Sequence, residues 1–244
     1  MTDSGFNDQT AHGLESPPRA DAYRTVQRRL EAAADCAGRR PAEIGLLAVS
    51  KGHPATAIEE LARLGQRDFG ESYLQEALPK IDRLDDQRLI WHFIGPLQSN
   101  KCRDIAARFE WVHSLDRPQV ADRLDRLRPA HLPPLQVCLQ VKLSPEPQKS
   151  GVEPSDLLAL ARHVSLLPRL RLRGLMTIPQ AAADPAAQRA VYARLKALFE
   201  RLQQDGYPLD TLSMGMSDDL EAAILEGSTL VRVGSALFGP RSRP

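Results

Sequence analysis

IGLLAVSKGHP, residues 44–54, is the stretch that decides between two folds. Its apolar run is typical of a buried β-strand, and the helical pattern after it makes this the first strand–turn–helix unit of the chain. A doubly wound open sheet usually carries a glycine-rich G-x-G-x-x-G sequence in its first turn, but here the turn reads SKGHP. The stretch therefore favours the other parallel architecture, a closed barrel.

Eight β-rich runs alternate with segments of helical spacing. They are residues 44–50, 68–72, 89–95, 111–116, 135–144, 170–179, 211–216 and 230–239. Because alternating strands and helices imply parallel pairing with right-handed crossovers, eight units in about 200 residues predict an α/β fold with one (β/α)8 TIM barrel. A first helix over about residues 20–39 is extra to the barrel, and no stretch remains for a second domain.

Two helical segments carry end signals. One keeps the i, i+4, i+7, i+11 spacing of apolar residues from Val191 to Leu202, and Gly206 is placed to end it. The other begins with residues 218–221, a D-x-x-E variant of the capping box, which predicts a helix from about Asp218 to Gly227.

The composition is that of a soluble globular protein. Of the 244 residues, 42% are hydrophobic and 26% are charged. A net charge of +1 argues against a nucleic-acid binder that depends on a basic field. Cys36, Cys102 and Cys138 are an odd number without C-x-x-C spacing, which fits neither a disulfide framework nor a zinc site. We expect no nucleic-acid partner and no metal.

The first residues resemble no targeting signal. Residues 1–18 lack an apolar core, so we predict a disordered N-terminal tail over 1–18 and a folded domain over 19–244. No run approaches the roughly 20 apolar residues that a membrane span requires. The expected location is the cytoplasm, without a membrane partner.

In a TIM barrel, residues at the carboxyl ends of the strands meet at one mouth, where chemistry takes place. Lys51 follows the first strand, in a chain with 26 arginines and only six lysines. A lysine desolvated at a strand end has a lowered pKa and can form an imine with an aldehyde. The alternative is a structural lysine that reaches solvent or pairs with Glu71.

Two later segments are candidates for an anion site at the same mouth. SMGMSDDLEAA (213–223) ends a strand, turns and starts a helix, which leaves backbone N–H groups and the Ser213 hydroxyl for a phosphate. Gly234 and Ser235 follow the last strand, which is another common place for a phosphate site in barrels. The alternative is that Gly215 and Ser217 are ordinary turn and cap residues.

Arg232 lies among valines and glycines on the last strand, where an unpaired guanidinium would cost several kcal/mol. It either faces a ligand or forms a structural ion pair with an acid such as Asp219 or Glu221. Three histidines near predicted strand ends lack the spacing of a zinc motif and are expected to be structural: His53, His92 and His113.

A reactive lysine after strand 1, a phosphate cradle after strands 7 and 8 and an arginine on strand 8 together suggest pyridoxal 5′-phosphate as the cofactor. Arginine does not give up its proton. It would therefore donate a hydrogen bond to an unprotonated pyridine nitrogen and leave the ring a weaker electron sink than an aspartate partner would.

The chain resembles the family of pyridoxal phosphate homeostasis proteins, whose barrel is similar to the N-terminal domain of alanine racemase. The resemblance spans about residues 20–241. The stretches that carry it are LLAVSK (46–51), GQRDFGESYLQE (65–76), WHFIGPLQSNK (91–101), KSGV (149–152), RGLMTIP (173–179), LSMGMSDDLEAAI (212–224) and STLVRVGSALFGPR (228–241).

The resemblance implies roles for single positions. Lys51 matches the lysine that binds the cofactor as an imine, and Arg232 matches the residue that faces the pyridine nitrogen. Lys149 matches a lysine near the site entrance that is suspected of handling the cofactor. The residues that match the phosphate site are Ser213, the backbone of Met214, Gly234 and Ser235.

Two positions depart from the family pattern. The usual Gly-Glu-Asn-Tyr reads Gly70-Glu71-Ser72-Tyr73 here. Ser72 and Tyr73 are expected at the cofactor, but Ser72 is shorter than asparagine and lacks its amide. Position 235 is commonly threonine in the family, and Ser235 keeps the hydroxyl.

Both an enzyme and a carrier are compatible with the resemblance. Racemisation needs an acid and a base on opposite faces of the substrate carbanion, and in alanine racemase a tyrosine from the partner subunit's second domain serves one face. We expect no such domain here. We therefore expect a monomeric, non-catalytic carrier that holds pyridoxal phosphate on Lys51 and buffers it or delivers it to the apo forms of pyridoxal phosphate enzymes. A pyridoxal phosphate-dependent amino-acid racemase or decarboxylase is the alternative, and a Schiff-base aldolase is a third hypothesis.

Overall fold

The computed structural model describes residues 19–144, 146, 150–180 and 184–240. The predicted disordered tail (residues 1–18) and Lys149 lie outside the described residues, so both remain predictions. Within the described part of the chain, all strands join one sheet.

Eight parallel strands follow one another around a closed barrel, and β1 pairs with both β2 and β8. The predicted TIM barrel is therefore confirmed. Each strand is a short run buried nearly throughout, as expected for parallel strands covered on both faces. The strands are β1 (Gly45–Val49), β2 (Asp68–Glu71), β3 (Ile90–Phe93), β4 (Trp111–Leu115), β5 (Leu135–Gln140), β6 (Leu170–Met176), β7 (Thr211–Ser213) and β8 (Leu230–Val233).

Helices surround the barrel because their apolar residues recur on one face and pack against the strands. None of those in the described residues is both long enough and apolar enough to cross a membrane. The α-helices are α1 (Arg19–Cys36), α2 (Ala55–Arg63), α3 (Leu74–Arg83), α4 (Cys102–Arg108), α5 (Pro118–Leu127), α6 (Leu157–Ser165), α7 (Pro185–Gln204), α8 (Leu220–Leu225) and α9 (Ser235–Phe238).

Helix α7 confirms the helix predicted between Val191 and Leu202 and shows its end signals. The Asp184 carboxylate accepts a hydrogen bond from the Ala186 N–H at 3.0 Å, which caps the first turn. Gly206 follows the last turn with a φ of 91°, a conformation that glycine adopts without strain.

Four predicted strands extend three or more residues too far. The runs 135–144, 170–179 and 211–216 leave the sheet after Gln140, Met176 and Ser213. The run 230–239 divides into β8 and α9, because the N–H groups of Leu237 and Phe238 turn back to the Gly234 carbonyl at 2.9 Å each. The residues beyond each strand form the mouth of the barrel instead.

The start of α8 also differs from the prediction. The helix begins at Leu220, and its N-cap residue Asp219 makes no side-chain capping bond. The Asp219 carboxylate accepts instead from the Met216 N–H at 2.6 Å and from the Tyr192 hydroxyl at 2.7 Å. The predicted capping box of Asp218 and Glu221 does not form, because the helix begins one residue later and the Glu221 carboxylate pairs with Arg29.

The predicted extra N-terminal helix is α1, which packs on the outside of the barrel. Val26 and Leu30 are buried on the face of α1 that packs against the rest of the protein. Arg29 donates to both carboxylate oxygens of Glu221, at 2.7 and 2.9 Å, and to the Ser217 carbonyl at 2.9 Å. Helix α1 thereby holds the loop between β7 and α8 from outside.

Candidate functional site

A cavity of about 340 Å³ opens at the carboxyl ends of the strands, in the size range of small-molecule sites. Its wall includes Lys51, Ser72, Arg232, Gly234 and Ser235, five of the residues that the sequence predicts for the site. The other lining residues are Val49, His53, Ile94, Ile178, Met216, Ser217, Asp218, Gly239 and Pro240.

Lys51 reaches this wall because it directly follows the buried strand β1. The next N–H, of Gly52, donates to the Glu76 carboxylate at 2.9 Å and fixes the turn to helix α3. Val49, at the end of β1, and Ile178, after β6, supply apolar wall on either side. The amine therefore lies in a partly desolvated position at the mouth.

A buried ion pair supports the end of β1. Glu71 is fully buried on β2, and its Oε1 accepts from Lys80 Nζ and Ser50 Oγ, both at 2.7 Å. Lys80 also donates to the Ser50 carbonyl at 3.0 Å. Burial raises the pKa of Glu71, and the charge of Lys80 opposes that rise. The pair thus fixes the backbone immediately before Lys51.

Arg232 is 4% exposed and lies at the bottom of the cavity. Its Nη1 donates to the Ser213 carbonyl at 2.6 Å and to Ser213 Oγ at 2.9 Å, and its Nη2 donates to the Thr177 carbonyl at 2.9 Å. Its other N–H groups make no hydrogen bond with the described residues. Burial lowers the pKa of Arg232, and Tyr192 and Asp219 oppose that shift.

The structural ion pair considered for Arg232 is not observed in the described part of the chain. Glu221 pairs with Arg29, and Asp219 accepts from Tyr192. A buried guanidinium held by carbonyl and hydroxyl oxygens keeps donors for a group in the cavity. This arrangement favours the ligand-facing interpretation of Arg232.

Ser213 and Met214 do not line the cavity. The Ser213 hydroxyl lies inside the barrel, within hydrogen-bond distance of His113 and Arg232. The Met214 N–H donates to the Leu230 carbonyl at 3.2 Å. Both groups therefore have protein partners, and their contact with a phosphate stays a prediction.

Ser217, in the loop after β7, lines the cavity wall. Gly215 makes the turn before it, with a φ of 91°, and a Cβ at Gly215 would lie 2.5 Å from Ala223 Cβ. Opposite this loop, the N–H groups of Gly234 and Ser235 start α9 and donate to no described residue. Hydroxyl and N–H donors from two loops therefore face one end of the cavity.

Another predicted residue, Tyr73, is not among the described residues that line the cavity. Tyr73 is 51% exposed and precedes α3, so its contact with a ligand stays a prediction, as does that of Lys149 outside the described residues.

Sequence reasoning missed part of the wall. His53 and Asp218 also line the cavity. The His53 ring stacks on Phe238, with ring centroids 5.0 Å apart. His53 lies two residues after Lys51, and a TIM barrel places such turns at the mouth, so its position was the available signal. In the described residues, no group of three or more His, Cys, Asp or Glu side chains is placed to hold a metal ion.

The family described as "Alanine racemase, N-terminal domain" matches residues 24–242. The chain belongs to this family. A pyridoxal phosphate homeostasis protein of Pseudomonas aeruginosa is 60% identical over 222 residues, which are 91% of this chain and 95% of that relative. One of Escherichia coli is 50% identical over 219 residues, 88% of this chain and 94% of the relative.

One solved structure is also similar. PipY of Synechococcus elongatus, determined with pyridoxal phosphate bound, is 41% identical and covers 88% of this chain and 100% of its own, with a TM-score of 0.77. The resemblance stated from the sequence motifs is therefore confirmed, both for the family and for the fold.

Proposed function

We propose that this protein binds pyridoxal 5′-phosphate in the cavity, holds it through a covalent link to Lys51, and stores or delivers it with little or no turnover. The observation that carries the proposal is a single wall that combines a lysine, a buried arginine and three serines. The pyridoxal phosphate bound to PipY and the names of the two relatives support it.

The donor set fits the parts of this ligand. We assign Lys51 to the aldehyde and Arg232, which keeps N–H groups toward the cavity, to the pyridine nitrogen. Ser217, Gly234 and Ser235 supply hydroxyl and N–H donors for the phosphate at the position where many barrels bind one. Ser72 lies on the same wall, and we assign it to the ring.

An arginine at position 232 favours storage of pyridoxal phosphate over catalytic turnover of a substrate. When bound, pyridoxal phosphate supplies an aldehyde for attachment and a ring that withdraws electrons. Arg232 would donate a hydrogen bond to the pyridine nitrogen without giving up its proton, so that nitrogen would stay unprotonated and the ring would withdraw electrons less strongly. We infer that apo forms of pyridoxal phosphate enzymes receive the stored molecule.

The covalent link is tested by absorbance. Protein loaded with pyridoxal phosphate should show a visible band that Lys51→Ala loses. Lys142→Ala is the matched control, because Lys142 follows β5 at the same end of the barrel and its Nζ pairs with Glu153 at 3.1 Å. Retention of the band in Lys51→Ala would contradict the assignment.

A racemase or decarboxylase is the second candidate, favoured by the ionisable side chains of His53 and Asp218 on the same wall. Loaded protein should be incubated with amino acids in deuterated water. We expect transfer of pyridoxal phosphate to an added apoenzyme, without exchange at the α-carbon of any amino acid. Exchange at about 1 per second or faster, the range of ordinary enzymes, would favour the second candidate.

A further inference from the structure

A chain of hydrogen bonds crosses the barrel interior below the cavity. Asp68 Oδ1 lies 3.0 Å from His92 Nε2, His92 Nδ1 lies 2.9 Å from His113 Nε2, and His113 Nδ1 lies 2.8 Å from Ser213 Oγ. The same Oγ accepts from Arg232 Nη1 at 2.9 Å. This histidine relay (Asp68, His92, His113 and Ser213) connects a carboxylate at the amino-terminal end of the barrel with the guanidinium at the mouth.

One direction of donation satisfies every member of the relay. The Asp68 carboxylate accepts, so a neutral His92 donates from Nε2 and accepts at Nδ1. His113 then donates from Nε2 and accepts at Nδ1 from the Ser213 hydroxyl, whose lone pairs accept from Arg232. A protonated His92 would instead reverse the bonds of His113 and aim a second donor at Ser213 Oγ.

The surroundings of His113 favour the neutral form of its imidazole. Burial, with His92 and Arg232 nearby, lowers the pKa of His113 well below its ordinary value. The Asp68 side chain is 37% exposed and that of His92 only 2%, so solvent reaches the relay at its carboxylate end. Trp111 stacks on His92, with ring centroids 5.4 Å apart. Interactions between charges are stronger in such a low-dielectric interior.

We propose that Asp68, His92 and His113 are positioning residues for Arg232. Through the Ser213 hydroxyl they fix one direction of donation toward a guanidinium that forms no ion pair with a described carboxylate. Arg232 therefore presents its remaining N–H groups to the cavity. What those groups contact rests on the function proposed above, whereas the direction of donation does not.

The direction is tested on the ligand-free protein. Nitrogen-15 NMR of the imidazole side chains should show both His92 and His113 neutral, with the proton on Nε2 and a bare Nδ1. A proton on Nδ1 of His113, or a charged His92, would overturn the relay.

The coupling between Asp68 and Arg232 is tested with two variants, each of which removes one carboxylate charge from the same end of the barrel. Asp68→Asn should shift the nitrogen resonances of His113 Nδ1 and of the Arg232 guanidinium. It should also weaken pyridoxal phosphate binding about fivefold, which is an ordinary coupling within a network. Asp210→Asn is the matched control, because Asp210 pairs with Arg173 at 2.6 Å outside the relay and should leave both readouts unchanged. Asp68→Glu, which keeps the carboxylate, should restore most of the binding.

The outcomes separate the two proposals. Wild-type protein that fails to bind pyridoxal phosphate would overturn the proposed function, while the nitrogen spectra would still decide the relay. Wild-type protein that binds, together with Asp68→Asn indistinguishable from Asp210→Asn, would overturn the relay alone. If Asp68→Asn does not fold, the spectrum of the wild-type protein decides.

Discussion

Glu71 is the residue on which the end of β1 depends. Its Oε1 is shared by Lys80 and Ser50, whereas its Oε2 is buried and has no hydrogen-bond partner among the described residues. A half-satisfied buried carboxylate depends on its one counter-charge. Burial of this pair therefore costs free energy, and in return the pair fixes the backbone before Lys51.

We expect Lys80→Met to lower the free energy of unfolding by about 3–5 kcal/mol near neutral pH, because it leaves a buried carboxylate without a counter-charge. Without Lys80, the already raised pKa of Glu71 rises further, so the folded variant binds this proton more tightly than the unfolded chain. That contribution to stability is present at low pH and is lost as the pH rises through the folded pKa. The loss in Lys80→Met should therefore be smaller at about pH 5 than at about pH 8.

Urea unfolding at both pH values measures this difference. Lys196→Met is the control, since Lys196 lies on the surface of α7 and its pair with Glu200 is 3.8 Å long. It should change stability little and equally at both pH values. An equal loss for Lys80→Met at both pH values would contradict a charged Lys80 acting on Glu71.

At the scale of elements, the loop between β7 and α8 positions Ser217 through a close approach. Gly215 has a φ of 91°, and a Cβ there would meet Ala223 Cβ on α8 at 2.5 Å. Gly206 after α7 has the same φ of 91°, but a Cβ there would meet nothing within 4 Å. The two glycines therefore differ in packing and not in backbone conformation.

We expect Gly206→Ala to cost about 1 kcal/mol, the penalty of a left-handed backbone, and Gly215→Ala about 3 kcal/mol, because α8 must also shift. Thermal or urea unfolding of both variants measures the difference. Gly215→Ala should also weaken pyridoxal phosphate binding, while Gly206→Ala should not. Equal losses of stability would show that α8 does not pack closely on this turn.

At the scale of the whole molecule, the alternation of strands and helices was enough to predict the barrel and its order. Strand ends were not predictable, because an apolar run such as 230–239 has no period that separates β8 from α9. From the sequence we predict Ser213 at the phosphate and interpret Ser217 only as a turn or cap residue, whereas the register of β7 directs the Ser213 side chain into the barrel. The partnership of Glu71 with Lys80 and the contact between His92 and His113 arise from tertiary packing, which no local pattern encodes.

The distribution of exposed apolar side chains bears on assembly. Among the described residues, the large ones are Leu64, Tyr73, Leu158, Leu166, Ile178 and Leu225, of which only two are associated with the same helix: Leu158 lies on α6, and Leu166 is its C-cap residue. Stable interfaces need a contiguous patch, so we expect a monomer. Sedimentation velocity at micromolar concentration should give a mass near 27.0 kDa. A species of twice that mass would contradict this expectation.

The covalent attachment at Lys51 is the central claim, and chemical trapping tests it most directly. Protein loaded with pyridoxal phosphate is reduced with borohydride, digested, and its peptides are mapped by mass. We predict that the added pyridoxyl phosphate mass is found on the peptide that contains Lys51. The mass on a different lysine, with Lys51 unmodified, would contradict the account.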